Sequence, residues 1–117
     1  MARVHLDGAG DIEKLFNTFI AEIVEKVGDR VVDSVVKEIN DVKVLCVTFE
    51  KYYFRLSSHV AVTVLLLNIE DYVDIEIMSA GGSEGLVLNL SEGAHESYIS
   101  EIAEIFTDKG YRIIKDD

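Results

Sequence analysis

The sequence predicts an α+β fold: an antiparallel β-sheet of about five to six strands in meander order, with two amphipathic helices packed on one face. Three observations carry that expectation. From Val42 to Ser79 the chain reads as three consecutive β-type segments dense in branched and aromatic residues, VKVLCVTFEKYYFRL, HVAVTVLLLNI and YVDIEIMS. One helical stripe of apolar residues precedes them and another follows. The joints carry pairs suited to two-residue hairpin turns, Asn40-Asp41 and Glu70-Asp71.

Taken in order, Arg3 to Leu6 reads as a short edge strand. Gly8 and Gly10 loosen the backbone, and Asp11 is placed to cap a helix. Ile12, Leu15, Phe16, Phe19, Ile20, Ile23, Val24 and Val27 then follow the helical period, with Lys26 and Gly28 as a stop signal. Arg30 to Ile39 fits either element, since Val31, Val32, Val35, Val36 and Ile39 share a helical face while β-branching favours a strand. Asn40-Asp41 decides for a strand, because both residues tolerate left-handed backbone angles where a tight turn into Val42 is needed.

In the next strand Val42, Val44 and Cys46 point one way and Leu45, Val47 and Phe49 the other, so it belongs inside the sheet. The alternation of Lys51, Tyr53 and Arg55 with Tyr52, Phe54 and Leu56 prolongs it, through a bulge, with one face wet. Ser57-Ser58 turns the chain into Val60 to Ile69, also apolar on both sides. Tyr72 to Ser79 alternates, with Val73, Ile75 and Ile77 inward and Asp74 and Glu76 in water. After a glycine-rich loop, Leu86 to Leu90 reads as another strand, and Asn89 or Ser91 caps a second helix whose stripe is Tyr98, Ile99, Ile102, Ile105 and Phe106. Lys109 and Gly110 end it, and Tyr111 to Ile114 returns to the sheet edge.

A chain of 117 residues, 49% of them hydrophobic, can bury one core as a single domain spanning residues 1–117. Residues 1–60 hold 8 basic and 10 acidic side chains, whereas residues 61–117 hold 3 and 12. An acidic C-terminal half repels phosphate backbones and anionic lipid, so neither nucleic acid nor a membrane is an expected partner. The opening residues lack the apolar run of a secretory signal, and the longest near-continuous apolar run, Val60 to Leu67, is too short to span a bilayer as a helix. With Cys46 the only cysteine, a reducing, cytoplasmic setting is expected.

Two stretches are candidates for ligand contact. Strand alternation sets Lys51, Tyr53 and Arg55 on one face, where two cations and a phenol can hold a carboxylate or phosphate. The ordinary alternative is a solvated face whose cations pair with Asp74 and Glu76 across the sheet. The loop containing Gly81, Gly82 and Ser83 offers backbone amides for an anion nest, although it lacks the lysine-serine/threonine ending of a phosphate-binding loop. Glu92 and His95 have the spacing of half a carboxylate-bridged metal site, without the second pair such sites need. No spacing ties in His5 or His59, so no metal or cofactor is expected. Cys46 lies in a β run where a thiol acts as a small apolar group, and no nucleophile elbow is present, so no catalytic residue is nominated.

The stretch Phe49 to Arg55, the valine-rich strand after it and Ser79-Ala80-Gly81-Gly82 resemble a family of short bacterial proteins classed as a domain of unknown function. The resemblance runs from about Val31 through the second helix. It supports the strand reading of Val31 to Ile39 and implies no activity.

Two helices cover about one sheet face, yet the central strands are apolar on both. A second copy of the chain is the expected cover, making a homo-oligomer that can also bind a small anionic or amphipathic ligand. The rivals are an enzyme with a cavity between sheet and helices, holding at least two convergent ionisable groups, and an acidic subunit that docks on a basic protein.

Overall fold

The computed structural model describes residues 3–22, 30–53, 58–81 and 99–116. Strand β1 (Arg3–Ala9) leads into helix α1 (Ile12–Glu22), followed by β2 (Arg30–Ile39), β3 (Val42–Tyr53), β4 (Ser58–Ile69) and β5 (Tyr72–Gly81). A second helix, α2, covers residues 99–107 before β6 (Arg112–Asp116) closes the order. All pairings are antiparallel, and the strands lie in the order β2-β3-β4-β5-β1-β6.

Four strands form the expected meander, but β1 is no edge strand. It runs on through Ala9 and lies between β5 and β6, pairing Arg3 to Ala9 with Met78 to Tyr72. Val4 and Leu6 are buried beneath the helices, and β6 takes the edge that β1 was expected to occupy. Strand β3 pairs with β4 from Val42 to Tyr53 without interruption, so the bulge expected in it is absent from these residues. The register shift falls in β2 instead, between Val31 and Asp33. The helix stop at Gly28, the turn before Ser58, the strand from Leu86 and the cap at Asn89 or Ser91 lie outside the described residues.

Each boundary that is described has a local cause. Asp11 caps α1, its Oδ1 accepting from the amides of Glu13 at 2.9 Å and Lys14 at 3.3 Å. Asn40 and Asp41 take φ of 47° and 70°, the paired left-handed angles of a type I′ hairpin turn. Gly110, at φ 99°, ends α2: its amide donates to the Thr107 carbonyl at 3.1 Å, and the Tyr111 amide donates to the Phe106 carbonyl at 3.2 Å. Those two bonds and the edge-on packing of Tyr111 on Phe106 make a Schellman cap that aims the chain back at the sheet.

The core lies between the helices and one sheet face. Ile12, Leu15 and Phe19 of α1 and Ile99, Ile102, Ile105 and Phe106 of α2 bury against Leu45, Val47 and Phe49, against Val60 to Leu66 in alternation, and against Val73, Ile75 and Ile77. Phe19 is its hub, with ring centroids 6.0 Å from Phe49 and 5.1 Å from Phe106. Burying each such ring stabilises the fold by about 1.5–3 kcal/mol. Asn68 is a buried polar side chain on this face. Its Oδ1 accepts from the Ile12 amide and its Nδ2 donates to the carbonyls of Glu70 and Tyr72, tying the β4–β5 turn to the start of α1.

Candidate functional site

Of the residues expected to bind a ligand, Lys51 lies on the helix-covered side, in phase with Val47 and Phe49. Its Nζ stands 3.4 Å from Glu101 Oε2 of α2. Pairing of Lys51 with Asp74 and Glu76 is therefore not what the fold provides. Those two carboxylates sit on the opposite face and meet other cations. Tyr53 is the last residue of β3 and Gly81 the last of β5, while Arg55, Gly82 and Ser83 lie outside the described residues. The register does bring the two expected halves together, since Lys51 pairs with Val60 and Val60 with Gly81. One rung before Gly81 on the same side, Ser79 is 1% exposed, and its Oγ has no hydrogen-bond partner among the described residues.

The opposite face of the sheet has no described element against it. Its residues fall into rungs fixed by the strand register. At the hairpin end Ile39, Val42, Ile69 and Tyr72 line up across β2 to β5. The next rung holds Lys37, Val44, Leu67, Asp74 and Asp7, the next Val35, Cys46, Leu65, Glu76 and His5, and the next Asp33, Thr48, Thr63, Met78 and Arg3. Nine apolar residues thus form one continuous patch over β2 to β5. Ile39 is 59% exposed, Ile69 52%, Val35 47% and Tyr72 43%. The patch covers about 300 Å² when its nine residues are measured by ordinary strand geometry.

Beyond that patch, β5, β1 and β6 carry a polar cluster. His5 Nε2 lies 2.5 Å from Asp74 Oδ1, and His5 Nδ1 lies 3.8 Å from Glu76 Oε1. Arg3 Nε is 3.4 Å from Glu76 Oε2. The Tyr72 hydroxyl donates to Asp7 Oδ2, and Arg112 Nε donates to Asp7 Oδ1 at 3.1 Å. The hydrogen bond to Asp74 holds the His5 pKa above its ordinary value, with burial opposing and the charges of Asp74, Glu76 and Asp7 adding to the rise.

Sequence reasoning missed this cluster. The signal was the alternation Arg3-His5-Asp7 against Asp74-Glu76, two polar faces of matching period. Joining them required the β1–β5 pairing, which no turn between neighbouring segments specifies.

Two clefts are described on the helix side. One, between α1 and the β2–β3 hairpin, is lined by Ile12, Glu13, Phe16, Val36 and Leu45 and holds ≈ 60 Å³. The other, between α2 and the sheet edge, is lined by Val4, Ser100, Ala103, Glu104, Thr107 and Ile113 and holds ≈ 180 Å³. Each has a single carboxylate in its lining, short of the two convergent ionisable groups that the enzyme reading requires. No helix among the described residues is long and apolar enough to cross a membrane.

The model of a family described as a family of unknown function (DUF6054) matches residues 1–109. No curated protein matches the chain.

Proposed function

Because the chain belongs to DUF6054, a family with no assigned activity, we propose from geometry alone that it is a self-associating module of the cytoplasm, two copies packing through their open sheet faces. The apolar patch from Ile39 to Tyr72 carries this reading. Six strands of 5 to 12 residues give a face of about 900 Å², close to the share of about 800 Å² each partner contributes to a standard-sized interface. A patch of about a third of that area bordered by polar groups has the anatomy of an interface core and rim.

Charge favours a second copy over a basic partner. The chain carries a net charge of -11, yet the three cations Arg3, Lys37 and Arg112 and the five carboxylates Asp7, Asp33, Glu50, Asp74 and Glu76 assigned to this face by strand alternation leave it a net of only -2. Two copies meet with least repulsion here, and a two-fold axis through β3 and β4 sets apolar on apolar. Sedimentation over a wide concentration range tests the reading: the parent chain gives a dimer, and Leu65→Asp gives a folded monomer. A parent chain that stays monomeric throughout removes it.

Ser79 favours a second role at the far end of the helix-covered side. A buried hydroxyl without a partner, one rung from Gly81 at the end of β5 and two strands from Lys51, suits a small anionic ligand that accepts from Oγ, the Lys51 ammonium and backbone amides. A thermal-shift screen of small carboxylates and phosphates is expected to give a stabilising hit that Lys51→Ala and Arg55→Ala abolish. Hits unchanged in both variants, or none, count against it.

A further inference from the structure

We propose that His5, Asp74 and Glu76 form a binding site for a divalent transition-metal cation of the zinc type. Three donors of suitable kind, an imidazole nitrogen and two carboxylate oxygens, lie within 4.8 Å of one another. Such a set suits Zn²⁺ better than Mg²⁺, which prefers oxygen ligands alone and keeps most of its water.

The site is built on strands that hold it in place. His5 pairs directly with Glu76, and Asp74 stands one rung along the same face of β5. All three side chains rise from neighbouring interior strands, whose unbroken β1–β5 pairing fixes their relative Cα positions. His5 Nε2 and Asp74 Oδ1, 2.5 Å apart, need to spread by less than about 1 Å to flank a metal at ordinary zinc–ligand distances of about 2.0–2.2 Å. Binding replaces the hydrogen bond between those atoms with two metal–ligand bonds, and any proton on Nε2 leaves for solvent.

Glu76 turns its two oxygens to different partners: Oε1 lies 3.8 Å from His5 Nδ1, while Oε2, shut off from solvent, faces Arg3 Nε at 3.4 Å. Arg3 then keeps Glu76 turned toward His5, the place an outer partner takes around a metal-bound carboxylate. The ligands lie in the polar border of the same open face that carries the apolar patch, on β1 and β5, so the remaining coordination positions face water in a single chain and the edge of a second copy in a pair.

Chelator-treated full-length protein is titrated with ZnCl₂ in a calorimeter, with Co²⁺ as the spectroscopic probe and oligomeric state followed in parallel. Binding of one Zn²⁺ per chain is expected, weakened about tenfold or more in His5→Gln and in Glu76→Gln, with a visible Co²⁺ absorption band that His5→Gln abolishes. A chain with both His59→Gln and His95→Gln keeps the site and binds as the parent does. Affinity within about twofold of the parent in His5→Gln variants that retain the parent's circular dichroism, loss of binding in the His59/His95 variant, or no binding of either metal by the parent would overturn the proposal.

Discussion

The two faces of the sheet are built from similar amino acids and have opposite fates. On one, Leu45, Val47, Phe49, Val62, Val64, Leu66, Ile75 and Ile77 are all at or below 1% exposed beneath α1 and α2. On the other, Val44, Cys46, Leu65 and Leu67 have no helix over them among the described residues and stay partly exposed. Apolar composition therefore does not say which face holds the fold together. The difference lies in what packs against it, and the faces should respond to mutation in different currencies: stability for the covered one, association for the open one.

Truncation at the centre of each face is the strongest way to break that contrast. Phe19→Ala removes the ring between Phe49 and Phe106 and is expected to cost about 3–5 kcal/mol in chemical denaturation, while Leu65→Ala costs the isolated chain about 1 kcal/mol or less. If the open faces pair, Leu65→Ala instead lowers the melting temperature in a concentration-dependent way. Equal losses of unfolding free energy in dilute solution for both variants would mean that the faces are not distinct.

A sharper test exchanges polar side chains for apolar ones. Asn68→Leu adds apolar area to the covered face but removes bonds to the Ile12 amide and the Glu70 and Tyr72 carbonyls, so it should destabilise by about 1–3 kcal/mol. On the open face Thr48 and Thr63, both partly exposed, hydrogen-bond to each other at 3.1 Å. Thr63→Val should change stability by no more than about 0.5 kcal/mol. A stabilising Asn68→Leu would show that burial outweighs the anchoring of the β4–β5 turn.

What the sequence made legible follows the same division between local and distant. Alternation and the Asn40-Asp41 turn predicted β2 to β5 in order, because a hairpin register is set by its own turn and pattern. Asp11, Gly110 and the apolar residues Ile99, Ile102, Ile105 and Phe106 were readable for the same reason, since caps and stripes act within a few residues. The place of β1 was not: Arg3 to Leu6 looked like an edge only because nothing nearby in sequence pairs with it, whereas its partners are Met78 to Ile75 and the residues after α2. The His5 cluster fails to show in the sequence on the same ground, as its side chains come from strands about seventy residues apart. Lys51 was seen as part of a cationic face, but its partner, Glu101, belongs to a helix whose position over β3 is a tertiary fact.

The smallest expected effect concerns how α1 is fastened to the covered face, and it is read by pH. Asp11 accepts hydrogen bonds from the amides of Glu13 and Lys14, in that order of influence, and these hold its carboxyl pKa below the ordinary value. The group therefore binds a proton less readily in the folded chain than in the unfolded one, whose value is about 3.9. Its stabilising contribution is fully present above that unfolded value and is lost as pH falls through the lower, folded one. Asp11→Asn keeps a side-chain oxygen to accept from the same amides but cannot titrate. Unfolding free energies measured at several pH values from neutral into the acid range should show the parent losing more stability than Asp11→Asn, with the gap opening only as the acid range is entered. Parallel curves for the two chains would mean that the carboxylate does not hold the helix start, and that the contact of Asn68 with the Ile12 amide fixes α1 on the covered face without it.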